Sequence, residues 1–299
     1  MRPNAIASAA LQEWSMYLRL RAYLTVSSAF KSVKKAEIQD ATMLKTIEVE
    51  GLRFRYHTAD VLHDISFCLE RGQMVGLLGA NGAGKTTTLK ILTGILPPGA
   101  GRVRINGFSL PEQALEAKRI IGYVPESPGV YESLTALEYL QLIGRLREIE
   151  ENRLKEKILT LLEIFDIEKQ RFSRLATFSK GMRQKVLITA ALLHDPPILL
   201  LDEPLTGLDV STSLIFKDLL HALSQEGKTI LYSSHILDVV EKMCNRVLII
   251  HQGSLIADDT LDSLKNQNKG GSLEEVFRQL TQAGSTTPTV SRALGAMKL

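Results

Sequence analysis

Cysteine is nearly absent: the 299 residues hold two, Cys68 and Cys244, each in an apolar segment and without metal-ligand spacing. That excludes a disulfide framework or a thiolate metal site and predicts buried, reduced thiols of the kind suited to the cytosol. Long apolar runs are missing too, since none approaches the ~18–20 residues that cross a bilayer; any work at a membrane requires another chain to do the crossing. Excess charge is small, with 36 basic and 33 acidic residues, and residues 1–42 supply all of the +3 through six bases and three acids. The remaining 30 and 30 cancel, which argues against broad electrostatic capture of nucleic acid. Aromatics make up 6%, but 44% hydrophobic residues suffice for one large or two small domains with a proper core.

What is present is organised around Gly79-Ala80-Asn81-Gly82-Ala83-Gly84-Lys85-Thr86, a full match to the phosphate-binding loop pattern. It follows the apolar run Met74 to Leu78 and leads into a predicted helix, Thr86 to Ile95, the strand, loop and helix order that the motif needs. A triphosphate demands many donors at short range; glycines turn backbone N–H groups inward, and the helix adds its positive end. Lys85 is placed for the β- and γ-phosphates, the Thr86 hydroxyl for a bridging Mg²⁺, and Thr87 for the α-phosphate. A random chain of this length gives on the order of 0.01 such matches, so an ordinary glycine turn is the poorer explanation.

Along the chain, residues 1–42 carry apolar positions that wrap round a helical wheel, and no function is readable there. The globular pattern begins at Met43, which we expect to be the natural start; a native N-terminal peptide from before residue 43 would refute this. Alternation over Ile47, Val49, Leu52, Phe54 and Tyr56, then Val61 to Leu69, predicts a small antiparallel sheet. Tyr56, 23 positions before the loop, is suited equally to stacking on adenine and to packing in that sheet. Gly101 to Gly107 reads as a short strand, Ile120 to Glu126 as a buried strand running into a loop, and Leu134 to about Gln170 as helices inserted between strands or packed on them. Val247–Ile250 and Ser254–Ile256 flank Gln252-Gly253 as a hairpin, and Ile215, Leu219, Ala222 and Leu223 mark one core face of a helix. The tail, residues 283–299, reads as disordered.

Three further stretches carry chemistry. Ile198-Leu199-Leu200-Leu201 is a fully apolar strand, as buried parallel strands are, and it ends in Asp202 and Glu203. Strand carboxyl ends face ligands in α/β sheets, so Asp202 is suited to a Mg²⁺ shell and Glu203 to orienting or deprotonating a water. Phe178-Ser179-Lys180-Gly181-Met182-Arg183-Gln184 opens a helix with a hydroxyl and free N–H groups, a second phosphate-binding surface that alone would be an ordinary cap. His235 follows the strand from Thr229 and Ser233-Ser234; a lone histidine is more often structural than catalytic.

In their order and spacing these motifs resemble the ATP-binding cassette (ABC) family of ATPases, over about Met43 to Thr281. The resemblance implies an α/β fold, a RecA-like P-loop NTPase core with an antiparallel β subdomain and a helical insertion at about 127–190, the cassette spanning residues 43–282. It makes Tyr56 the adenine platform, Gly79 to Thr87 the Walker A loop, Glu126 the strand-to-loop switch with a carboxylate able to ligate Mg²⁺, Asp202 and Glu203 the Walker B acids, Gly207-Leu208-Asp209 the D-loop and His235 the switch histidine. It also implies ATP and Mg²⁺ as cofactors and a head-to-tail pair of cassettes in which Ser179 and Gly181 act in trans. Two positions depart from the pattern: Glu126 stands for the usual glutamine, and Lys180 and Met182 alter the usual Leu-Ser-Gly-Gly-Gln signature. Both departures, with the ending Ser272 to Phe277, are similar to exporter cassettes whose transmembrane permease is a separate chain, which implies a cytoplasmic protein peripheral on the inner face of the cell membrane. The alternative, a soluble cassette ATPase acting on DNA or ribosomes, predicts a long coiled coil, tandem cassettes or a basic face, whereas the chain shows one cassette, no long heptad run and a body of neutral net charge.

Overall fold

The computed structural model describes residues 45–57, 59–127, 129–267 and 271–281. The expectations for residues 1–42, for Met43 as a start and for the tail from 283 lie outside the described residues. Two strand patterns in the sequence build two different sheets. In β1 (Lys45–Tyr56) and β2 (Ala59–Glu70) buried and exposed residues interchange, and the strands pair antiparallel. With β4 (Ala100–Ile105) and β5 (Phe108–Leu110) they form a four-stranded sheet of order β2-β1-β4-β5. The continuous apolar runs instead become β3 (Met74–Leu78), β6 (Ile121–Val124), β7 (Ile198–Asp202), β8 (Thr229–Ser234) and β9 (Arg246–His251), which pair parallel. β10 (Ser254–Thr260) closes the predicted hairpin on β9 and gives the order β10-β9-β3-β8-β7-β6.

Every residue of β3, β7 and β8 is buried because both faces of the second sheet are covered. Successive side chains feed two cores: Leu199, Leu201, Ile230 and Val247 join one, while Ile198, Leu200, Leu231 and Leu248 join the other. The second core lies between the sheets and takes Leu89, Ile91 and Leu92 of α1 (Lys85–Leu92) and Ala117 of α2 (Ala114–Arg119). The first holds α3 (Ala136–Leu146), α4 (Glu151–Ile164) and α5 (Lys180–Leu192). Thr135 starts α3 through a capping box with Glu138, a device worth about 1 kcal/mol. α6 (Val210–Gln225), α7 (Leu237–Met243), α8 (Leu261–Gln267) and α9 (Leu273–Leu280) complete the fold, and no described helix is long and apolar enough to cross a membrane.

Three details correct the sequence reading. α1 stops at Leu92 and not Ile95, because Thr93 caps it and Gly94 turns the chain. On α6 the deepest apolar residues are Phe216, Leu219, Leu220 and Leu223, whereas Ile215 and Ala222 are half-buried. The helix is therefore rolled toward Phe216, which meets the Phe165 ring edge-on at 6.4 Å. Cys244 is buried as expected, but Cys68 is half-buried because β2 is covered unevenly; both thiols are free.

Candidate active site

β3 lies at the centre of its sheet, between β8 and β9, so the loop that leaves its carboxyl end opens where the crossovers diverge. Gly84 is the residue before α1 and has φ +113°, and a Cβ there would lie 2.6 Å from Leu62 Cδ2. The sharp turn brings Lys85 back over the loop, where its Nζ donates to the carbonyls of Gly79 at 2.7 Å and Ala80 at 3.2 Å. Burial lowers the Lys85 pKa, against the attraction of Glu203, Asp202 and Glu126. The ammonium is thus desolvated yet faced by carboxylates, and its bonds to the two carbonyls hold the loop in shape.

An open cavity of about 480 Å³ lies above the loop, lined by Val61, Asn81, Gly82, Gly84, Lys85, Thr86, Thr87, Glu126, Asp202 and Glu203. Nine of these were expected from the sequence; Val61, on the neighbouring β2, carried no signal. Asp202 ends β7 fully buried, with Oδ1 accepting from Ser233 Oγ at 3.0 Å and Oδ2 without a hydrogen-bond partner among the described residues. Burial raises its pKa, the nearby hydroxyls of Thr86 and Ser233 oppose the rise, and the charges of Glu126 and Glu203 add to it. A buried carboxylate oxygen without a partner, beside a threonine hydroxyl and a second carboxylate, is a hard oxygen donor set that fits Mg²⁺.

Glu203 is 7% exposed and adopts φ +48°, a left-handed value that costs a non-glycine residue about 1 kcal/mol. The backbone is held there by Glu203 N–H donating to Ser233 O at 3.1 Å. The side chain is fixed at both oxygens: His235 Nδ1 lies 2.6 Å from Oε1, and Ser234 Oγ donates to Oε2 at 3.3 Å. Ser233 and Ser234 therefore support the two acids, a role that the sequence reading did not assign, although their place just before His235 at a strand end was the available signal.

Tyr56 does not line the cavity; it is 39% exposed at the end of β1 and packs edge-on against Phe54 at 4.8 Å. Ala83 is buried behind the loop, its N–H donating to Ala80 O. Ser179 and Gly181 are likewise apart from the cavity. Ser179 is exposed and caps α5, its Oγ accepting from Met182 N–H at 3.2 Å. A Cβ on Gly181 would lie 2.2 Å from Gly207 O, so glycine there lets the start of α5 press on the loop before α6. Asp209, which caps α6, pairs with Lys185 at 2.8 Å and accepts from the Thr212 N–H and hydroxyl. Although burial opposes it, these partners hold the Asp209 carboxyl far below the usual range.

The comparisons with known proteins decide the family. A family model described as ABC transporter matches residues 62–206. The chain is 42% identical over 217 residues to the "ABC transporter ATP-binding protein NatA" of Bacillus subtilis, covering 72% of this chain and 88% of that one. This chain belongs to the ABC transporter ATP-binding proteins. It is the ATP-binding, ATP-hydrolysing subunit of such a transporter, built on the P-loop NTPase fold. It is also 35% identical over 231 residues to a "Nod factor export ATP-binding protein I" of Ralstonia nicotianae, covering 77% and 72% of the two chains. A solved "Structure of ATP binding subunit of ABC transporter" is 38% identical, with a TM-score of 0.75 over 79% of this chain and 99% of the other.

Proposed function

We propose that residues 43–282 form an exporter cassette that works as a head-to-tail pair on a separate transmembrane permease, peripheral to the inner face of the membrane. The observation that carries the ATPase assignments is the Glu203 carboxylate, fixed by His235 and Ser234 on the floor of the cavity that Lys85 and the loop enclose. The N–H groups of Gly79 to Thr87 receive the phosphates, Lys85 neutralises the β- and γ-phosphates, and Thr87 serves the α-phosphate. Thr86, Asp202 and Glu126 would hold Mg²⁺, which when bound polarises the phosphates as a Lewis acid. Glu203 orients and deprotonates the attacking water, and His235 keeps that carboxylate aimed. Tyr56 remains exposed enough to stack on adenine.

Ser179 and Gly181 stand outside the cavity of their own chain, on an exposed helix start, and this favours their acting on ATP held by a second cassette. The export role named for the Ralstonia relative supports export over uptake. Glu203→Gln should trap the closed pair, so this variant is purified from native membranes in ATP and Mg²⁺ and its companions are identified by mass spectrometry. A stoichiometric multi-spanning protein is the expected result. Ribosomal proteins or nucleic acid without any membrane protein would instead establish the soluble alternative.

A further inference from the structure

Two buried polar atoms without a hydrogen-bond partner among the described residues point to one place: Asp202 Oδ2 and the Tyr123 hydroxyl. Tyr123 on β6 lies beside Leu200 of β7 in the parallel register, and its ring packs against the core that contains Ile198 and Leu200. Strand alternation puts Asp202 on that same face, two residues beyond Leu200, and the Thr86 hydroxyl near the start of α1 lies close to it. A phenol is a donor and a carboxylate an acceptor, so each supplies what the other lacks. Burial, with the charges of Asp202 and Glu126 adding to it, pushes the Tyr123 pKa up, as expected for a hydroxyl set near both acids.

We propose that Tyr123 is a positioning residue whose buried hydroxyl, directly or through one water, holds the Asp202 carboxylate in the orientation that receives Mg²⁺. This rests on the Mg²⁺ role given above to Asp202. The phenol acts through the carboxylate and touches neither the nucleotide nor the attacking water. Leaving a buried hydroxyl unpaired would cost stability, and a group retained at such a cost next to a catalytic acid is accounted for by its pairing when the site is loaded.

The test compares wild type, Tyr123→Phe and Asp202→Asn by three readouts: the Mg²⁺ concentration for half-maximal turnover at saturating ATP, Mn²⁺ binding with ATP followed by electron paramagnetic resonance, and binding of a fluorescent ATP analogue in EDTA. Tyr123→Phe should raise the half-maximal Mg²⁺ and the Mn²⁺ dissociation constant about 10- to 100-fold, with metal-free nucleotide binding unchanged. Thermal denaturation monitors the fold of each variant. A metal dependence that matches wild type in Tyr123→Phe, while Asp202→Asn shifts it, overturns this proposal and leaves the Asp202 assignment standing. An unshifted Asp202→Asn overturns both. Loss of analogue binding in EDTA by a folded Tyr123→Phe also overturns the proposal, because the hydroxyl would then serve the loop and not the metal ligand.

Discussion

Replacing Glu203 by glutamine keeps the side chain's shape and removes one negative charge. The contacts predict that the fold tolerates it: a glutamine amide turns its oxygen or its NH₂ to suit His235 Nδ1, and it still offers a partner to Ser234 Oγ. Binding should also survive, because Glu203 is one of three carboxylates acting on Lys85, and removing it lessens repulsion of the phosphates. What is lost is a basic atom facing the cavity. General-base catalysis contributes about 10² to 10⁴ in rate, equivalent to roughly 2.7–5.4 kcal/mol of barrier. Steady-state phosphate release should therefore fall by that factor, while the dissociation constant of a fluorescent ATP analogue stays within about three-fold or tightens. Turnover within ten-fold of wild type would refute the reasoning, because the water would then be activated elsewhere. A variant that folds but no longer binds nucleotide would equally refute it, by showing that the carboxylate is a binding group.

Gly181→Ala places a methyl against the Gly207 carbonyl, so ATPase activity should drop at least ten-fold while a dilute, monomeric sample still binds nucleotide, since Gly181 is away from its own cavity. Leu154→Ala, at 1% exposure in the helical core, should cost about 2–5 kcal/mol, measured by urea denaturation. His194 provides a pH test: burial, with the Arg147 charge next, depresses its pKa to about 4, against Ile121 O, which accepts its hydrogen bond. The folded state binds fewer protons than the unfolded state, so stability is complete above the ordinary histidine value of about 6.5 and is lost as pH falls toward about 4, by on the order of 2–3 kcal/mol. Unfolding midpoints from pH 7 to 4.5 should show this slope, and His194→Asn should flatten it.

Much of the site was legible in the sequence because its chemistry is local. The loop is one contiguous stretch, and Asp202 and Glu203 end an apolar run of the kind that buried parallel strands have. What escaped depends on three dimensions. Nothing in a glutamate announces a left-handed backbone, so the aim of Glu203 became visible only with its Ser233 contact. Ser233 and Ser234 read as strand-end polars until the β7–β8 register set them beside the acids. The roll of α6 was misjudged because Ile215 and Phe216 are both apolar, and only packing on Phe165 chooses between them. The Lys185–Asp209 pair joins positions 24 apart, on helices whose approach no periodicity reveals.

The alternation of β3, β7, β8 and β9 between two cores has a consequence for how the molecule fails. These strands form a party wall: every second side chain belongs to a different room, and neither room stands once the wall is breached. Loss of the helical layer strips one side of the strand that ends in Asp202 and Glu203, and loss of the small sheet strips the other. Heat or denaturant applied to the cassette should thus leave no half-molecule with an intact set of carboxylates. Inactivation and global melting should coincide, and damage far from the nucleotide should silence the enzyme by the same single event that unfolds it.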